Sequence, residues 1–243
     1  MSMQQMPHGQ QRPARRRGDR PHSGNAAAFS PQEGGERVAQ AYADLETPAI
    51  VAFHDRYLGG ADGSAAVPEH AGPWWRWIAE NHRCNTALWK EEDKARRTDV
   101  ADAEIVSCKR NIDRYNQCRN DAVEALDQTL LAALGPAAEV PDVRLSSETA
   151  GAIIDRLSIL ALKIHHMRLQ AAREEAGAAH MARCRAKLEV LIEQRGDLAN
   201  CLDRLLWEAR CGTARFKLYR QFKMYNDPAL NPELYGRAGG GPG

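Results

Sequence analysis

Asn111-Ile-Asp-Arg-Tyr-Asn-Gln-Cys-Arg-Asn-Asp-Ala-Val-Glu-Ala-Leu-Asp127 decides the fold. At helical spacing, Ile112, Asn116, Val123, Leu126 and Leu130 form one stripe, a seam for a core. Beside it Asp113, Gln117, Asn120, Glu124 and Asp127 recur at +4, +3, +4, +3 as a polar stripe. Carboxylates and amides next to a core seam are costly to bury unless something pairs with them. The stretch therefore predicts a helix and marks a candidate site on it.

Helical periodicity continues outward in both directions. Asp99 is positioned to cap this helix, which should run to Leu134 and stop at Gly135-Pro136. Upstream, Pro73 opens a helix through about residue 96, after a loop over 59–72. Thr47-Pro48 opens a short helix to about residue 57, with proline in its first turn. Downstream, Ser146 or Ser147 caps a helix beginning near Glu148. Unbroken to Arg210 it would be about 90 Å long, too long for a compact domain of this size, so a turn is expected near Gly177. Cys211-Gly212 ends the next helix. A last short helix is expected over 214–224, broken by Asn226-Asp-Pro228 and Asn231-Pro232. No alternating run of β-branched residues is bounded by turns, so strand signals are absent. The fold class is all-α, an antiparallel helical bundle of about five to seven helices. Residues 36–236 form its single domain, between an Arg/Pro/Gly-rich tail at 1–35 expected to be disordered and a flexible tail at 237–243.

Bulk properties narrow the function classes. The chain has 243 residues and a formal net charge of +1, which argues against a protein that holds nucleic acid by charge. No apolar run reaches the length of a membrane span. Arg15-Arg16-Arg17 is followed by polar and small residues, so it is neither a secretory nor a twin-arginine signal. The six cysteines, Cys84, Cys108, Cys118, Cys184, Cys201 and Cys211, include no Cys-x-x-Cys pair. They read as reduced thiols in a cytoplasmic protein. His180 and Cys184 share a helix face but lack a third metal ligand.

Three groups of residues carry candidate chemistry. On the helix from Pro73, Ile78, His82, Asn85, Trp89 and Glu92 share one seam, after Trp74, Trp75 and Trp77 at its start. His82 and Asn85 beside Trp89 could read a ring-shaped ligand, or form a packing ridge with a hydrogen-bonded histidine. Asp113, Asn120, Glu124 and Asp127 could hold magnesium through oxygen ligands, with Asp113, Glu124, Asp127 and His82 as catalytic candidates. Glu124-x-x-Asp127 is similar to the second motif of helical nucleotide pyrophosphohydrolases, but Glu91-Glu92-Asp93-Lys94-Ala95 departs from their first motif in its last place. The alternative is an interhelical network pairing these acids with Arg and Lys. Asp155 and Lys163, on the helix after Glu148, join the ligand-binding set. Near the carboxy terminus Lys217, Arg220 and Lys223 lie among Phe216, Tyr219, Phe222 and Tyr225, a basic wall suited to a phosphate. Acidic and basic walls facing across one pocket would suit a metal-bound phosphorylated ligand. No Glu-x-x-His pair, Gly-rich phosphate loop or Gly-x-Ser-x-Gly elbow is present.

Four stretches carry a resemblance. They are His82-Arg-Cys-Asn-Thr-Ala-Leu-Trp-Lys-Glu-Glu-Asp93, Ile112-Asp-Arg-Tyr-Asn-Gln-Cys-Arg-Asn-Asp121, Ile153-Ile-Asp-Arg-Leu-Ser-Ile-Leu-Ala-Leu-Lys-Ile-His-His-Met167 and Lys217-Leu-Tyr-Arg-Gln-Phe-Lys-Met-Tyr-Asn-Asp-Pro-Ala-Leu-Asn-Pro232. Through them the chain, from about residue 72 to 235, resembles the bacterial domain of unknown function 4254 family. The resemblance implies a helical bacterial protein with no agreed activity, some of whose relatives are encoded near glycosyltransferases and surface-sugar genes. Two classes of function follow. One is an enzyme or binding protein whose polar interior pocket takes a phosphorylated or nucleotide-linked small molecule, such as a sugar. The other is a non-catalytic helical scaffold or accessory subunit of a biosynthetic enzyme such as a glycosyltransferase.

Overall fold

Proline near the start of the first helix and glycines of positive φ after three others punctuate the chain. A computed structural model describes residues 45–60, 65–68, 71–135, 142–221, 224 and 227–235. The two expected tails and Lys223 lie outside the described residues. Within them run α1 (Thr47–Gly59), α2 (Trp75–Lys94), α3 (Asp102–Leu134), α4 (Ala150–Ala171), α5 (Ala178–Arg210) and the four-residue α6 (Pro232–Tyr235). The architecture is the all-α bundle that periodicity predicts.

Two long helical hairpins make the frame. The α2–α3 and α4–α5 pairs are the most extensive packings in the molecule, and their short connections oblige each pair to run antiparallel. Helix α1 lies against α4 and α5, and α4 also packs on α2 and α3. The core forms where the seams meet, around Ile50 and Phe53 of α1, Trp75 and Ile78 of α2, Leu126 and Leu130 of α3, Ile154 and Leu157 of α4, and Leu202, Leu205 and Leu206 of α5. The turn expected near Gly177 is a 3₁₀ turn, Glu174–Ala176, closed by Gly177 at φ 85°.

Several helix ends differ from expectation because the proposed cap is used elsewhere. Helix α3 begins after Ala101, since Asp99 is held by Arg97 at 2.9 and 3.0 Å. Thr149, not Ser146 or Ser147, caps α4, its hydroxyl accepting from the Ala152 amide at 3.1 Å. The α1 cap residue is Glu46, while the Thr47 hydroxyl donates to Asp203 of α5. Leu169, near the end of α4, is exposed.

The segment after Gly212 is the main correction. Its described residues 214–221 form no helix. Ala214–Arg215 (β2) pairs in parallel with Arg144–Leu145 (β1), and the Ser146 amide donates to the Arg215 carbonyl at 2.8 Å. Ala214 and Phe216 are buried while Lys217 is exposed, an alternation of period two that overrides the +3 aromatic spacing. A two-residue pairing is too short to leave a strand pattern in the sequence. It brings Arg144 onto Glu208, which also receives Arg204 at 2.7 Å, and the two guanidinium groups hold the Glu208 carboxyl below its ordinary range.

Candidate functional site

Helix α2 turns its seam toward α4, and polar residues there meet polar residues. The Asn81 and Asn85 amides both donate to Asp155 Oδ1 at 2.8 Å. Asn85 also donates to Ser158 Oγ at 3.0 Å, and His82 Nδ1 lies 2.7 Å from the same hydroxyl. From α3, Arg119 reaches to 4.0 Å from Asp155. The buried ring of His82 stacks on that of His54 of α1, 4.4 Å between centroids, with the Tyr57 ring edge-on at 4.9 Å. Burial pushes His82 down to about 4, against a slight opposing pull from the His54 main chain, so it is neutral at pH 7. His54 is also lowered well below the ordinary histidine value by burial, with His82 and then Arg195 adding to the effect. The Ser158–His82 pair has the composition of a nucleophile and its base, but both residues are fully buried. A substrate carbonyl has no path to it. The network instead locks the register of α2 on α4 and aims the Asn85 amide.

Above this network the helices part around Trp89. Three adjoining cavities share Trp89 and Asp93 in their linings. The first, about 390 Å³, lies between α2, α3 and α4 and is lined by Asn85, Glu92, Arg96, Asn116 and Arg119 among others. The second, about 790 Å³, lies between α2, α4 and α5 with Lys163, Met167, Gln170 and Lys187. The third, about 290 Å³, holds Tyr57, Thr86, Lys90 and His165. His166 stacks on Trp89, 4.5 Å between centroids and 6° from parallel. Burial and then His165 lower its pKa, with Asp93 opposing. Two donors beside this cleft, the Trp89 indole Nε1 and the Arg119 Nε, are buried without a hydrogen-bond acceptor, the Arg119 Nε standing at ion-pair distance, 4.0 Å, from Asp155. Neither group can accept a hydrogen bond, so the partner each lacks is an acceptor. The cleft offers a flat aromatic pair for a ring and several cations for an anion.

The structure brings together Asn85, Trp89, Asp155 and Lys163 of the expected ligand-binding set, with His82 beneath them. It separates the rest. Asp113 is exposed and paired with Lys109. Asp127 is buried and spent on architecture. Its Oδ1 accepts from the Gly151 amide, the second residue of α4, at 2.7 Å. Burial raises Asp127 to about 6, the Thr149 hydroxyl and Gly151 amide oppose this, and Glu124 adds to it. Glu124 accepts from the Gln221 amide at 3.0 Å. Asn120 is buried on the same α3 face. Asp113 and Asp127 are fourteen positions apart, ~21 Å along α3, and cannot share one magnesium ion. A stripe at 3.5-residue spacing also drifts by about 20° per heptad, which carries its first half into solvent and its second half under α4. Among the described residues, the basic wall closes no pocket with the acids. Lys217 and Arg220 are exposed, and the cavity of about 660 Å³ that Lys217 lines contains no acid among its lining residues.

His54, Asn81, Asp93, Arg96 and Arg119 were not singled out by the sequence pattern. Asn81 could have been found as the residue one turn before Asn85, and Arg119 as one turn after Asn116 on the α3 seam. His54 lies on an ordinary apolar seam, and nothing in the sequence pairs it with His82.

The family model described as "Protein of unknown function (DUF4254)" matches residues 75–218. No curated protein and no solved structure matches the chain. The chain belongs to the DUF4254 family, and the matched span contains α2 through α5 with the whole Trp89 cleft apart from the α1 residues on its edge.

Proposed function

We propose that, in this member of the DUF4254 family, the Trp89 cleft binds a phosphorylated or nucleotide-linked small molecule, a sugar derivative among them. The observation that carries the reading is the Trp89–His166 stacked pair set between cavities lined by cationic side chains, Arg96 and Arg119 in one and Lys163 and Lys187 in the other. A phosphate supplies the acceptor oxygens that guanidinium and ammonium groups take. The Trp89–His166 pair offers a stacking face for a ring, and Lys163 and Lys187 stand on the far side of Trp89 for a second anionic group. The test is a thermal-shift screen of nucleotides, sugar phosphates and nucleotide sugars, followed by calorimetric titration. A ligand present at about 100 times its Kd should stabilise the fold by about 2.7 kcal/mol. Trp89→Ala and Arg119→Gln should each weaken binding, while Lys217→Ala and Arg220→Ala, outside the cleft, should not. Stabilisation that survives both cleft variants would place the ligand elsewhere.

A second reading, a non-catalytic partner of a biosynthetic enzyme such as a glycosyltransferase, draws on a different observation. Leu169 and Ile192 are exposed apolar residues on the α4–α5 hairpin, outside both the core and the lining of the cleft. Failure of every phosphate-bearing ligand in the screen would favour it.

A further inference from the structure

On the side of α2 away from the α4 network, a second cluster faces α3. Glu80 and Cys84 are one turn apart on α2, and Cys118 approaches them from α3. Cys118 Sγ lies 3.0 Å and Cys84 Sγ 3.7 Å from Glu80 Oε1, and all the potential ligand atoms fall within 4.8 Å of one another. Tetrahedral zinc, with Zn–S near 2.3 Å and Zn–O near 2.1 Å, needs ligand atoms roughly 3.5–3.8 Å apart, so small rotamer adjustments suffice. The Arg83 guanidinium marks where positive charge is wanted. Its Nη2 is 2.7 Å from Glu80 Oε1, 3.6 Å from Cys84 Sγ and 3.5 Å from Cys118 Sγ. Arg83 is a long, exposed side chain, and its Nε bond to Glu80 Oε2, at 2.8 Å, can persist when Nη2 withdraws. It would then orient the carboxylate from outside the coordination shell.

We infer that Glu80, Cys84 and Cys118 form a zinc site that clips α2 to α3, with water in the fourth position. Two thiolates and a carboxylate suit a borderline-soft divalent ion better than magnesium or calcium. As each Zn–S bond forms, the thiol proton passes to solvent, so affinity rises with pH. Glu80 and Cys118 are half-buried, which leaves the site open to water and to the entering ion, while Cys84 is fully enclosed. Among the described residues this is the one such group of three potential ligands; His180 and Cys184, 3.4 Å apart, gain no third member.

The experiment uses the full chain, reduced with a phosphine and stripped of metal. Zinc is titrated in competition with a chromogenic chelator, and cobalt is added separately to look for thiolate-to-cobalt charge-transfer absorption. About one zinc per chain is expected, with that absorption present. Cys118→Ser and Glu80→Gln should each weaken zinc binding about tenfold or more, and Cys184→Ser should leave it unchanged. Circular dichroism confirms that each variant is folded; both altered positions are half-buried, so folding should survive. Undetectable zinc binding by the reduced chain would overturn the inference. So would zinc held equally by Cys118→Ser and Glu80→Gln, or lost in Cys184→Ser. A Cys84–Cys118 disulfide formed under mild oxidant by a chain that binds no zinc when reduced would replace the metal clip with a redox one.

Discussion

At Asp127 a carboxylate that looks catalytic from its neighbours is a helix anchor. It is buried, it holds the Gly151 amide at the amino end of α4, and burial raises it to about 6. A neutral amide of the same shape can still accept from Gly151. Asp127→Asn should therefore lose less than about 1 kcal/mol at pH 7, where the charge itself is disfavoured by burial. Asp127→Ala strands the Gly151 amide next to a cavity and should cost about 1–3 kcal/mol. Urea unfolding of the two variants decides the matter. Equal losses would mean that the charge, not the hydrogen bond, holds the helix. Neither variant should alter ligand affinity per folded molecule, because Asp127 does not line the Trp89 cleft.

Between elements, the approach of α3 to α4 depends on a missing side chain. A Cβ on Gly151 would sit 2.8 Å from Asp127 Oδ1 and 2.9 Å from the Val123 carbonyl oxygen. The backbone cannot yield easily, so Gly151→Ala should destabilise by about 1–3 kcal/mol despite the better helix propensity of alanine. Gly196, inside α5, has nothing within 4 Å of its would-be Cβ, and there the same change should stabilise by about 0.5–1 kcal/mol. Opposite signs in thermal unfolding are the expected outcome; a stabilised Gly151→Ala would show that the helices separate without penalty. Helix ends of this kind were legible in the sequence. Gly135, Gly177 and Gly212 all take positive φ, which few other residues tolerate, so each stop was written in one residue type. The α2 seam was legible too, since Ile78, His82 and Asn85 are buried where the spacing puts them. What the spacing could not say is which helix lies opposite. A polar stripe reads the same whether it meets α4, as at Asp127, or water, as at Asp113. Arg119 and Lys163 converge on Trp89 only through the packing of three helices, and that information is absent from any one of them.

For the molecule as a whole, buried titratable groups set the pH dependence of stability, and they pull in opposite directions. His82 falls from the ordinary 6.5 to about 4, and His54 is lowered as well. A depressed histidine contributes stability that is present above 6.5 and is lost as pH falls through its folded value, because the unfolded chain takes up the proton first. Each unit of such a shift is worth ~1.4 kcal/mol. Asp127 is raised from 3.8 to about 6, so its contribution has the other sense. It is fully present below 3.8 and is lost as pH rises through 6. Between about pH 4 and 6 the two effects oppose one another, so wild-type stability should fall less steeply toward pH 4 than the two histidines alone would make it. Asp127→Asn removes the acid-side gain and leaves the histidines alone, so its unfolding free energy should fall more steeply toward pH 4. His54→Leu fills the same buried space without a proton to bind and keeps the main chain of residue 54 against His82. Its curve should fall less steeply than wild type, or rise, over that interval. The measurement is urea unfolding of all three chains across pH 4–8. If the Asp127→Asn and wild-type curves run parallel from pH 4 to 6, Asp127 titrates near its unfolded value and its burial is not dry. If His54→Leu and wild type run parallel, the two stacked rings are reached by water, and the α1–α2 contact opens more readily than its packing implies.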